Sequence, residues 1–142
     1  MARFKYFTLA EFLRSDTAAA QHIDNTPSFD VVEHLAALTE KILDPLRAAY
    51  GQPIRVTSGY RCERLNSAVG GVPGSAHIRG DAADLQANDM KAFKAFVVEW
   101  LQKTHTRFDQ CIVEKSGKTE WVHISLQNGY GVQRGEIKMM NV

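Results

Sequence analysis

Phe108-Asp109-Gln110-Cys111-Ile112-Val113-Glu114 and Trp121-Val122-His123-Ile124-Ser125-Leu126 are the stretch on which the fold turns. Each run has the composition of a strand, and Ser116-Gly117 lies in the turn between them, which favours a hairpin. Side chains alternate along a strand, so Trp121, His123 and Ser125 share one face while Val122 and Ile124 share the other. The two aliphatic residues belong on a core, which leaves His123 on a face that can carry a site.

Upstream the apolar period becomes helical. Thr8-Leu9-Ala10-Glu11 is a capping box and predicts a short helix after Thr8. A longer helix is expected from about Phe29 toward Tyr50, with Val31, Leu35, Leu38 and Ile42 as its apolar stripe, Gly51 as its cap and Pro45 bending or breaking it. Ile54 to Ser58 reads as a strand, Gly70 to Gly74 as a loop, and Ala82 to Gln86 as a short strand. Asn88 or Asp89 then caps a second helix, striped by Phe93, Phe96, Val97, Trp100 and Leu101. Helices come first and strands gather later, which predicts an α+β fold with helices packed on a small antiparallel sheet. The tail from Asn128, with Gly129, Gly131 and Gly135, reads as irregular.

The chain has 142 residues, the size of one domain, so residues 1–142 are expected to form one unit. Its 17 basic and 16 acidic residues leave a net charge of +1, and no run of Lys or Arg occurs. That balance argues against a nucleic-acid partner. No apolar stretch approaches the roughly 18 residues of a membrane span, and the N-terminus lacks the apolar region of a signal peptide. The protein is expected to be made in the cytoplasm and to act as a monomer. Cys62 and Cys111 are far apart and form no CxxC pair; Cys111, inside an apolar run, reads as core.

Three residues stand out chemically. His77 follows the Gly-rich loop, and Asp84 lies seven residues on, with the small residues Gly80, Ala82 and Ala83 between them. A catalytic zinc takes three nitrogen or oxygen ligands and keeps one open position, and His77, Asp84 and His123 are candidates for the three. Spacing alone leaves a hydrogen-bonded loop histidine open as the alternative. His34 and His105 read as surface or helix-end residues, His22 lies in a polar N-terminal segment with nothing to pair with, and Arg79 and Asp81 read as surface charges.

Ser75, His77, Gly80, Ala82 and Asp84 match the pattern SxHxxGxAxD, and Glu120-Trp121-Val122-His123 matches an ExxH-like element. With Ser58-Gly59-Tyr60-Arg61 upstream, Asn66, Gly70-Gly71 and Phe108-Asp109-Gln110, the chain resembles the zinc D-alanyl-D-alanine carboxypeptidases and dipeptidases, a family that includes phage-type peptidoglycan endopeptidases. The likeness covers about residues 27–126. It implies a hedgehog and D,D-peptidase-like fold and one zinc per chain, held by His77, Asp84 and His123. It also implies Glu120 as general base, Arg61 on the substrate carbonyl and oxyanion, Ser75 and Tyr60 as substrate contacts, and a peptidoglycan stem peptide as substrate. Glu120 and His123 lie on opposite faces of a regular strand, so this role for Glu120 requires a position before the strand or a bulge. Glu114, at the end of the preceding strand, is the competing base. The short length and missing signal peptide fit a phage or prophage lytic product released to the wall by a lysis system, and a cytosolic dipeptidase would share the same signals. A non-catalytic zinc-binding module, such as a phage structural or wall-binding component, would keep the ligands and need no base. A purely structural domain would need neither.

Overall fold

The structure is a computed structural model that describes residues 4–140. Thr8 caps α1 (Leu9–Leu13) with the expected capping box: its side chain accepts from Glu11 N, and the Glu11 carboxylate accepts from Thr8 N. Ser15 caps α2 (Asp16–Ala20) and Ser28 caps α3 (Phe29–Leu38). The long helix neither breaks nor ends before Pro45. The Asp44 N–H reaches back to Thr39 O, closing a π turn over Thr39–Leu43, and α4 (Asp44–Tyr50) continues beyond it. The wider turn lets a residue without an N–H sit in the helix, so the chain absorbs the proline by local widening. Of the expected stripe, Leu35, Leu38 and Ile42 are fully buried, and Val31 packs half-buried against the same core.

β1 (Ile54–Ser58) leads through α5 (Glu63–Ala68), the Gly-rich loop and the single turn α6 (Ala76–Arg79) into β2 (Ala82–Ala87). Asp89 caps α7 (Met90–Thr104), whose Phe93, Val97 and Leu101 are buried. The hairpin is β3 (Gln110–Ser116) and β4 (Thr119–Ser125), closed by Gly117-Lys118. The sheet order is β1-β2-β4-β3-β5, and the first three pairings are antiparallel.

The tail corrects the expectation. Glu136–Met140 form β5, which pairs with β3 in parallel, so the sheet is mixed rather than antiparallel throughout. Asp109 ties this strand down. Its carboxylate accepts from Arg134 Nε at 2.7 Å, Arg134 Nη2 at 2.8 Å and Arg134 N at 3.2 Å. The Arg134 hydrogen bonds hold the Asp109 carboxyl below its usual range. A depressed carboxyl stabilises the fold above its unfolded value, near pH 4, and loses that contribution as pH falls toward the folded value. Asp109→Asn is therefore expected to lower the melting temperature at pH 7 and to shrink the further drop between pH 4 and pH 3. Melting curves at the three pH values check this; an acid drop of wild-type size would contradict it.

One face of the sheet packs on the helices. Ala83, Leu85, Val122, Ile124 and Cys111 are buried there, with Phe12, Leu35 and Phe93 in the same core. Cys111 is fully buried, and burial pushes its thiol up to about 12, so it is a core residue rather than a nucleophile. The other face carries the site.

Candidate metal and substrate site

Register builds the site. Asp84 of β2 pairs with His123 of β4, which pairs with Ile112 of β3, so these residues lie in one row on the open face. In the next row Trp121 pairs with Glu114. At Thr57 a bulge shifts the β1–β2 register, and Ser58 then stands opposite Asp84. Ser58 Oγ there accepts from Arg61 Nε at 3.0 Å.

His77 reaches the same place from α6. Ser75 caps that turn, its Oγ accepting from His77 N. His77 Nδ1 lies 2.7 Å from the Gly59 carbonyl. A carbonyl only accepts, so Nδ1 carries the proton and the lone pair of a neutral ring sits on Nε2. That Nε2 faces Asp84 Oδ1 at 3.3 Å, and His123 Nδ1 lies 2.9 Å from the same oxygen. A carbonyl partner behind a ligating imidazole fixes its ring and tautomer. Gly59 also explains its own identity: a Cβ there would lie 2.5 Å from Phe12 O, where the backbone of α1 passes.

One potential ligand atom from each of His77, Asp84 and His123 lies within 4.8 Å of the others. Burial opposes ionisation of Asp84, but His77 and His123 outweigh it and hold the carboxyl well below its usual range. Two imidazoles and one ionised carboxylate form a donor set that suits a divalent ion such as zinc, so the residues present fit the group.

Arg61 lines the cavity over this cluster and is clamped on three sides. Nε donates to Ser58 Oγ, Nη1 to Asn66 Oδ1 at 3.0 Å, and Nη2 to Asp84 Oδ2 at 3.4 Å. Buried Asn66 in turn donates to Val72 O, fixing the Gly-rich loop. Gly71 lies against this clamp. A Cβ on it would come within 2.1 Å of Asn66 Oδ1 and 2.8 Å of Arg61 Nη1. Gly71→Ala is expected to cost about 1–3 kcal/mol of stability by overpacking and to reduce turnover by displacing Arg61; urea melts and steady-state rates on one preparation check both.

The cavity has a volume of ≈ 550 Å³, with Glu114, Trp121 and Ser75 among its lining residues. Glu120 does not join it. The β3–β4 register runs unbroken from Gln110↔Ser125 to Ser116↔Thr119, so no bulge turns Glu120 toward His123. Its carboxylate instead pairs with Lys94 of α7, whose hydrogen bond holds it below its usual range. Glu114 is on the cavity side, and its Oε2 accepts from Trp121 Nε1 at 2.8 Å. Tyr60 also lies outside the cavity, in an adjoining cleft.

Sequence reasoning passed over two polar anchors, one buried and one half-buried. Asp81, expected on the surface, is 1% exposed; Arg79 Nε donates to its Oδ2, and His34 Nδ1 lies 2.9 Å from its Oδ1. Arg79 also donates to Gly74 O and Gln127 O, which braces the loop and the tail on either side of the cavity. Asn25 accepts from Cys62 N and donates to Leu13 O and Tyr60 O, joining α1 to the Arg61 segment. Neither stands out from its neighbours in the sequence, since Asn25 lies between Asp24 and Thr26 and Asp81 follows Arg79-Gly80.

The family model for peptidase M15 matches residues 5–125, and the chain belongs to that family. Its members are metal-dependent peptidases, so the chain is a peptidase whose substrate is a peptide. The comparison with curated proteins found no match. No helix among the described residues is long and apolar enough to cross a membrane.

Proposed function

We propose that the chain is a zinc peptidase of bacterial cell-wall stem peptides, with His77, Asp84 and His123 holding one zinc ion per chain. The observation that carries this reading is the convergence of two imidazoles and an ionised carboxylate in a cavity that Arg61 and Glu114 also line. A zinc ion held there would supply a Lewis acid and acidify a bound water toward neutral pH.

The side chains supply the rest. Glu114 is the general base, in place of Glu120. Trp121 Nε1 occupies its Oε2, which leaves Oε1 to accept a proton from water and return it to the leaving amine. Arg61 presents a fixed cation to the substrate carbonyl as negative charge develops on its oxygen. Because its three contacts are already made, little reorganisation is needed during the reaction. Ser75 shapes the site by capping the turn that carries His77, and its substrate role is secondary.

Cell-wall peptide is the substrate that the motif set in residues 58–123 favours, and release into the wall by a phage lysis system fits it. The testing experiment measures zinc content of the purified protein together with release of amino groups from purified peptidoglycan and from synthetic peptides ending in D-Ala-D-Ala. About one zinc per chain with release from either substrate supports the reading and separates endopeptidase from carboxypeptidase. Stoichiometric zinc with no release from either would favour a zinc-binding module instead.

A further inference from the structure

Against the metal cavity lies a second cleft of ≈ 340 Å³. Arg61 and Val69 line both, so the two spaces adjoin at these side chains. Thr57 and Tyr60 line it from β1 and the segment after it, and Arg14 and Asp16 line it from the α1–α2 junction. The bulge at Thr57 that positions Ser58 therefore also borders the second space.

Charge distinguishes this cleft. The arginines of the metal cavity are all engaged: Arg61 by Ser58, Asn66 and Asp84, Arg79 by Asp81, and Arg134 by Asp109. Arg14 and Asp16 are exposed, and among the described residues no hydrogen bond or ion pair engages either side chain. Tyr60 lines the same cleft, where burial raises its phenol, and it offers an O–H donor there. A ligand of one charge would satisfy one of the two free groups and meet repulsion from the other. A group that ends in both an ammonium and a carboxylate complements both.

We propose that this cleft receives a substrate side chain ending in an amino group and a carboxylate, with Arg14 on the carboxylate and Asp16 on the ammonium. The proposal rests on the stem-peptide reading above. Its substrate class is a stem peptide containing a diamino-dicarboxylic acid, as opposed to one containing lysine, whose side chain ends in the ammonium alone.

The test uses two synthetic stem peptides that differ only in that residue, with zinc-loaded wild type, Arg14→Gln and Asp16→Asn. Exposed ion pairs contribute up to about 1 kcal/mol, so wild type should show a KM roughly fivefold lower for the diamino-dicarboxylic peptide. Arg14→Gln should erase that preference by raising KM, with kcat unchanged and the lysine peptide unaffected. Asp16→Asn should raise KM for both peptides. Equal KM values in wild type, or a preference that survives Arg14→Gln, overturn the proposal while leaving the peptidase reading intact. Both peptides are also titrated into isotopically labelled zinc protein, with the Arg14 Nε–H signal as readout. A shift given selectively by the diamino-dicarboxylic peptide, without turnover, upholds the cleft and rejects hydrolysis of cell-wall stem peptides; no shift with either peptide overturns the cleft.

Discussion

His123→Ala and Asp84→Asn are each expected to reduce turnover to background and to strip the protein of its metal. Loss of an outer partner of a ligand typically costs 10–100-fold in metal affinity, and loss of a ligand itself costs more. The effect should extend to stability. An ion present at about 1,000 times its dissociation constant stabilises the native state by about 4 kcal/mol. In a chain of this size that corresponds to roughly 10 °C in melting temperature. A chelator should therefore lower the melting temperature of wild type by about that much and leave both variants almost unmoved. Calorimetry with and without EDTA, beside elemental analysis, checks this. Wild-type melting indifferent to chelator would count against a metal centre in these three residues.

Glu114→Gln is expected to lower kcat by about 10²–10⁴-fold, the usual contribution of a general base. Metal content should stay at the wild-type level, because Glu114 is not among the three converging residues. Glu120→Gln should leave kcat within about twofold and act, if at all, through its lost pairing with Lys94 on the helical side of the sheet. Gln keeps the shape and the acceptor for Trp121 Nε1, so a loss in Glu114→Gln reports on proton transfer rather than packing. The opposite pattern, with Glu120→Gln inactive and Glu114→Gln active, would return the base to Glu120.

These two glutamates also show how far a sequence can be read. The face of His123 followed from alternation, and Val122 and Ile124 are fully buried behind it. The same alternation spoke against Glu120. What it lacked was the register of β3 against β4, which depends on a two-residue turn that Ser116-Gly117 only approximately locates. A shift of one residue would exchange the faces of every side chain in a strand. His77 was legible through its motif. Its orientation was not, since that depends on the carbonyl of Gly59, 18 residues away.

β5 was illegible for a different reason. Glu136–Met140 has no buried side in its own right; Met139 and Met140 remain exposed, and glycines precede it. It is a strand because β3 offers an unpaired backbone and Asp109 holds Arg134 beside it. Such partners are set by tertiary structure, and composition carries no trace of them. Asp81 was misread for a related reason: a carboxylate is buried only where partners such as Arg79 are folded into place, and spacing does not announce them.

The parallel strand has a consequence for how the protein survives in a crowded solution. β3 is apolar along Cys111 to Val113, and without β5 its outer hydrogen-bonding edge would be bare. Bare, apolar edges recruit strands from other molecules and seed aggregates. The segment beyond residue 125, which the peptidase family model does not match, thus acts as a selvedge that finishes the sheet. It substitutes a short border carrying Lys138 and Glu136, charged side chains of the kind that discourage further pairing.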